Sequence, residues 1–214
     1  TNLNGSNTGR VITVSDAGAG TRISGFTARN GSSADGGAIH VVNSNLQIDH
    51  VEILNNTSEC GSIQHSYGGG IACHESTLLL SDFTFSNNRA LCSTLPETPL
   101  GGALYAGYSE LHLFRGKFQN NYGDLGGGAC LSNCNTLIQQ VEFKSNEVSW
   151  FGGGICVLGG ELSIVESTLR ENQGGGGVFS TYEGSLDIQN CLFADNERCS
   201  VQNWDMVLTI TNST

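Results

Sequence analysis

Charge is scarce in this chain: only 14% of its 214 residues are Asp, Glu, Lys or Arg. Proline and methionine are nearly missing, at 2 and 1 residues. Low charge with abundant Gly, Ser, Thr and Asn argues against a helical bundle, which wants Ala, Leu, Glu and Lys. Basic residues are few, 9 against 20 acidic ones, for a formal charge of −11. A phosphate backbone would be repelled, so nucleic acid is not an expected partner. No apolar run reaches the roughly 18 residues a transmembrane helix requires, so no membrane span is expected in this segment. The length fits a single domain over 1–214. A first residue Thr1 and an Asn-Ser-Thr end read as a mature or excised segment.

Several chemical signatures are also missing. There is no Gly-x-Ser-x-Gly elbow, no Asp-x-Asp and no Asp-Asp, and the five histidines form no Gly-His-Gly pattern. No CxxC…CxxC zinc spacing exists; Cys130-Leu-Ser-Asn-Cys134 has no second half. The eight cysteines, at 60, 73, 92, 130, 134, 156, 191 and 199, therefore favour disulfides and an oxidising compartment. No metal site is read and no cofactor is expected, although the acidic balance leaves calcium open. Asn-x-Ser/Thr sequons make Asn4, Asn30, Asn55 and Asn212 glycosylation candidates; a further sequon begins at Asn56.

What is present is a repeat. Six segments align on paired glycines, from Gly36-Gly37-Ala38-Ile39 to Gly176-Gly177-Val178-Phe179. Nine residues past the second glycine stands Leu46, Leu78, Leu111, Thr136, Leu162 or Leu186. Seven residues further comes Ile53, Phe85, Phe118, Phe143, Leu169 or Phe193, and three later Asn56, Asn88, Asn121, Asn146, Asn172 or Asn196. The offsets of 32, 33, 25, 26 and 24 residues define a unit of about 25, clear over 36–196. Inserted loops occupy 57–67 and 89–100, and the end coils 1–35 and 197–214 are atypical.

Within a unit, apolar and polar residues alternate as in strands: Leu46/Ile48 and Val51/Ile53 point one way, Gln47 and Glu52 the other. A unit this small cannot bury its apolar side alone, so units must stack at about 4.8 Å into parallel sheets around one core. The expected fold is all-β: a right-handed single-stranded parallel β-helix, a pectin-lyase-like solenoid of about eight coils and about 40 Å in length. Phe85, Phe118, Phe143 and Phe193 would stack inside. The six asparagines would form an amide ladder in a turn of left-handed backbone. Cys60 and Cys92 lie at equivalent places in adjacent loops and are the preferred disulfide. Cys130 and Cys156 share one lattice position, compatible with a bridge or with stacked thiols. Cys73 and Cys191 fall inward.

The pairing of Gly-Gly-Ala-Ile (36–39) or Gly-Gly-Ala-Leu (101–104) with Phe-x-x-Asn (85–88, 118–121, 143–146, 193–196) resembles the repeats of chlamydial polymorphic outer-membrane proteins. Ile53 and Leu169 depart from it by replacing the Phe. The resemblance implies an extracellular or cell-surface passenger segment. It would be non-catalytic, acting as an adhesin-like or stalk element toward a host-cell or matrix protein or a glycan, with self-association into a surface filament as an alternative.

Catalytic β-helices of the pectin-lyase group carry sugar-cleaving sites on an outward sheet face. One outward column here reads His50, Asp82, Arg115, Gln140, Glu166, Asn190, and a second Glu52, Thr84, Lys117, Glu142, Thr168, Leu192. If the chain were a polysaccharide lyase or hydrolase, Asp82, Arg115 and His50 would be the first suspects; an ion-pair ladder is the simpler reading. A third outward column, His40, Ala72, Tyr105, Cys130, Cys156 and Ser180, reads as a flat face, either a docking surface or a surface covered by the inserted loops. His65, His74 and Glu75 are near enough in sequence to gather a metal, with chance proximity the blander account.

Overall fold

The computed structural model describes residues 1–60, 66–92 and 98–214. Those residues contain no helix, and every strand pairing is parallel. Partners are one repeat apart. Thr21, Leu46, Leu78, Leu111, Thr136, Leu162, Leu186 and Leu208 pair in succession, giving eight stacked rungs. Parallel pairs within one sheet need crossover connections, and here each crossover is the rest of the coil.

Each coil turns at corners of left-handed backbone. One corner column is Asn43, Glu75, Tyr108, Asn133 and Tyr182; the next is His50, Asp82, Arg115, Gln140, Glu166 and Asn190. A third is Asn30, Asn55, Asn87, Asn120, Ser145, Glu171 and Asp195, and the last is glycine: 36, 68, 101, 126, 152 and 176. The ladder asparagines are therefore not the left-handed residues, contrary to expectation. The residue before each one turns the chain outward, and the asparagine itself has ordinary φ so that its amide points along the axis inside.

That ladder is complete. The backbone N–H and Nδ2 of Asn56 both donate to Asn88 Oδ1 (3.1 and 2.9 Å), and the pattern repeats through Asn121, Asn146, Asn172 and Asn196. Each Nδ2 also reaches back to the carbonyl of the stacked residue one coil earlier, as Asn88 does to Ile53 (2.8 Å). Beside the ladder, Phe85, Phe118 and Phe143 stack with centroids 4.9 and 4.8 Å apart. Phe193 is only partly buried at the end of this column. A second polar ladder, not anticipated, runs along the first corner: Ser44 and Ser76 receive the N–H of Ala17 and Ser44, and Ser109 receives that of Ser76.

The second glycine of each pair is needed for coil contact rather than for φ. A Cβ on Gly37, Gly69 or Gly102 would sit 2.2–2.3 Å from the carbonyl oxygen of the glycine below. The openings of the two inserted segments are themselves strands, Thr57–Glu59 and Arg89–Leu91, which join Tyr122–Leu125 and Glu147–Phe151 in a four-stranded sheet. The insertions thus begin later than 57 and 89. Residues 61–65 and 93–97, within both, lie outside the described residues. Immediately before these gaps Cys60 and Cys92 form a disulfide with Cα atoms 4.9 Å apart.

Candidate functional site

Two of the three catalytic suspects pair with each other, and His50, close enough to act on Asp82 electrostatically, makes its hydrogen bond elsewhere. Arg115 Nε and Nη2 donate to the two oxygens of Asp82, each at 2.8 Å, in a bidentate pair on the surface. Those donors hold the Asp82 carboxyl below its ordinary value, the wrong direction for a general acid. His50 turns instead to its neighbour, with Nδ1 2.8 Å from Asp49 Oδ1. Asp49 is buried and also accepts from Arg22 (2.6 and 2.8 Å) and Ser24 (2.6 Å). Asp49 occupies a position filled by Ser81, Phe114 and Gln139 in later coils, so no recurring residue type marks it in the sequence.

The second outward column is equally committed to pairing. Glu142 binds Lys117 (3.2 Å) and Arg170 (2.7 Å), and Arg170 continues to Glu171 (2.6 Å), which meets Lys144 (3.6 Å). Between the two columns Gly116 leaves a shallow depression, closed from beneath by the ring of Phe83.

The flat face is covered. Ala72, Cys130 and Cys156 are wholly buried, with Tyr105 and Phe179 nearly so. They lie under Tyr67, Leu100, Leu125 and Phe151, the residues that precede each glycine corner. Tyr67 and Leu100 end the inserted segments; Leu125 and Phe151 belong to no insertion. The column also ends differently from expectation, since Cys156 pairs with Phe179, not Ser180. Leu158 faces Thr181 while Gly160 faces Gly184, so a bulge there takes up one residue and restores the register beyond it.

Cys130 and Cys156 are free thiols, not a bridge, and Cys73, Cys134, Cys191 and Cys199 are free as well. Burial pushes Cys73 up to about 12 and Cys134 to about 11, so neither is a nucleophile at neutral pH. Of the sequon residues, Asn4, Asn55 and Asn212 are exposed and Asn30 is half-buried; Asn56 is sealed in the ladder.

Two groupings escaped the sequence reading. Exposed aromatic side chains stand on the corners: Tyr108 and Tyr182 are 70% and 64% exposed, both at positive φ. Tyr182 borders an open hollow with Asn133, Leu158, Glu183 and Asp205. Trp150 and Trp204 are also half-exposed, Trp204 edge-on to Phe151 and Phe179. Separately, His40 and His74 meet Asp35 rather than Glu75; His65 lies outside the described residues. Burial lowers His40, with Asp35 acting in the opposite direction.

A stack of in-register parallel coils held by internal asparagine and aromatic ladders defines a right-handed parallel β-helix. The chain belongs to the family described as the right-handed beta helix region, which it matches over residues 101–214. Residues 82–107 match the Chlamydia polymorphic membrane protein repeat, and this stretch holds both Phe85–Asn88 and Gly101–Leu104. The segment is thus a polymorphic-membrane-protein-like β-helix. A curated relative, metabotropic glutamate receptor-like protein R of Dictyostelium discoideum, is 25% identical over 165 residues. That alignment covers 75% of this chain but only 10% of the relative, so the chain spans about a tenth of its length. No solved structure matches. Among the described residues, no helix is long and apolar enough to cross a membrane.

Proposed function

We propose that this β-helix is a surface-exposed, non-catalytic segment that presents a binding face to a host-cell or matrix protein or glycan. The observation that carries this is the placement of Tyr108 and Tyr182. Both occupy a corner where left-handed backbone suits Asn, as at Asn43 and Asn133 in the same column. A bulky residue there is conformationally costly, and its ring remains mostly in water. Neither ring serves the core, and exposed aromatics of this kind suit stacking on sugars or protein side chains. The likeness to polymorphic-membrane-protein repeats supports a surface location. The pairing of Asp82 with Arg115, and of His50 with Asp49, supports the non-catalytic part.

The test exploits the corner geometry. Changing Tyr108 and Tyr182 together to Asn should preserve folding while removing binding to cells, matrix proteins or a glycan array. Undiminished binding would move the face elsewhere. A parallel screen on acidic and neutral polysaccharides, with and without calcium, should give no turnover; turnover abolished by Arg115→Ala would instead make the chain a polysaccharide-cleaving enzyme.

A further inference from the structure

The outer apolar strip over the covered face changes character at one coil. Its overlying column reads Asp35, Tyr67, Leu100, Leu125, with Phe151 packed in line. Its underlying column reads His40, Ala72, Tyr105, Cys130, Cys156, Phe179. Where every later coil packs carbon or sulfur on carbon, this one places a carboxylate over an imidazole. His74, diagonally placed on the next coil, completes the group: Val42, not His40, is its register partner. His40 Nε2 lies 3.1 Å from Asp35 Oδ2, and His74 Nε2 lies 2.9 Å from Asp35 Oδ1. The three possible ligand atoms are all within 4.8 Å of one another.

We propose that Asp35, His40 and His74 form a binding site for a divalent transition metal of the zinc class. Two imidazole nitrogens and one carboxylate suit Zn²⁺ or Co²⁺ far better than calcium, which wants six or more oxygens. Ligands about 2.0–2.1 Å from a tetrahedral ion stand about 3.3 Å apart; each nitrogen–oxygen contact, one to either Asp35 oxygen, opens by a few tenths of an ångström, and the two imidazole nitrogens, within 4.8 Å of each other, come to that spacing by side-chain rotation. The group is also held in place. Arg10 donates to the backbone carbonyls of Asp35 (2.6 Å) and Gly36 (3.2 Å) and to Ser33 Oγ (2.9 Å), fixing the loop that carries the carboxylate. Its guanidinium charge faces the site, and its hydrogen bonds go to those oxygens and to Thr13 Oγ1 (3.2 Å), leaving both Asp35 carboxylate oxygens to the histidines. The rings of Tyr67 and Tyr105 wall the His74 side at 5.7 and 5.4 Å. All three ligating side chains are partly accessible, between 19% and 34%, so an ion and solvent can both reach the group. Three protein ligands with one open position is the arrangement in which a metal also accepts water or a partner's side chain.

This inference stands independently of the adhesin reading. The test is titration of the tag-free, EDTA-treated chain with Co²⁺, followed by the visible ligand-field bands of tetrahedral coordination and by displacement with Zn²⁺. One saturable equivalent is expected. Asp35→Asn and the His40→Gln/His74→Gln double variant should each weaken binding roughly tenfold or more, the order lost even when supporting partners of metal ligands are removed. Because His40→Ala only reproduces the Ala72 of the next coil, it supplies a variant that keeps the strip packed. Absence of saturable binding by the wild-type chain would overturn the site, as would wild-type affinity in the folded His40→Ala and double variants.

Discussion

Asn121 and Asn120 are neighbours with opposite duties. Asn121 Oδ1 accepts both the backbone N–H and the Nδ2 of Asn88, while its own Nδ2 donates to the Phe85 carbonyl. Replacing Asn121 by Ala leaves those buried groups unpaired and should cost about 1–3 kcal/mol or more in denaturant unfolding. Asn120, at φ 55°, makes the turn, so Asn120→Gly should be close to neutral and Asn120→Val clearly destabilising. Equal losses for Asn121→Ala and Asn120→Gly would contradict this division. Gly116 is constrained sterically: a Cβ there would lie 2.2 Å from the Phe83 ring, itself held edge-on by Phe85 and Phe118. Gly116→Ala should therefore destabilise by about 1–3 kcal/mol through overpacking, and Gly116→Ala/Phe83→Leu should recover part of it.

Between coils, charged pairs do the lateral work that hydrogen-bonded ladders do inside. Arg22, Ser24 and His50 hold the buried Asp49 carboxyl well below the usual range, and Arg115 lowers Asp82. A depressed folded-state pKa stabilises above the unfolded carboxyl value and is lost as pH falls through the folded one. Stability should thus fall with acidification from about pH 4 downward. Asp49→Asn should lower the melting temperature at pH 7 and narrow its gap to wild type in acid; a constant gap would refute the linkage. The Cys60–Cys92 bridge spans 32 residues, and its removal by serine should cost about 3–4 kcal/mol on a chain-entropy account. The coil lattice was legible in the sequence because in-register stacking forces the same residue type to recur at Phe118 and Asn121 positions. The covering strip was not, because Tyr67, Leu100, Leu125 and Phe151 share only bulk and apolarity. The Phe179 slip was invisible because a one-residue bulge preserves the spacing on its far side. Asp35, His40 and His74 come together diagonally across coils, and no linear spacing encodes that contact.

Along the rod a coil is stable because its neighbours cover it, and among the described residues the Val207–Thr211 rung has a neighbour on one side alone. The interior column that reads Leu46, Leu78, Leu111 and onward is buried until Leu208, which is 39% exposed; beside it Ile210 is 49% and Val207 72% exposed. The same residues carry the unpaired strand edge of Val207–Thr211, so apolar surface and free backbone donors coincide there. Such an edge is a template for another strand, since register is fixed by a matching apolar alternation. The open end of the isolated 214-residue chain should therefore pair with a second copy as its concentration rises. Light scattering should show mass growing with concentration, and Leu208→Lys/Ile210→Lys should hold the chain monomeric with its coils intact. Growth that persists in the double variant would place self-association on a lateral face, where the exposed rings of Tyr108, Tyr182 and Trp204 become the next positions to change.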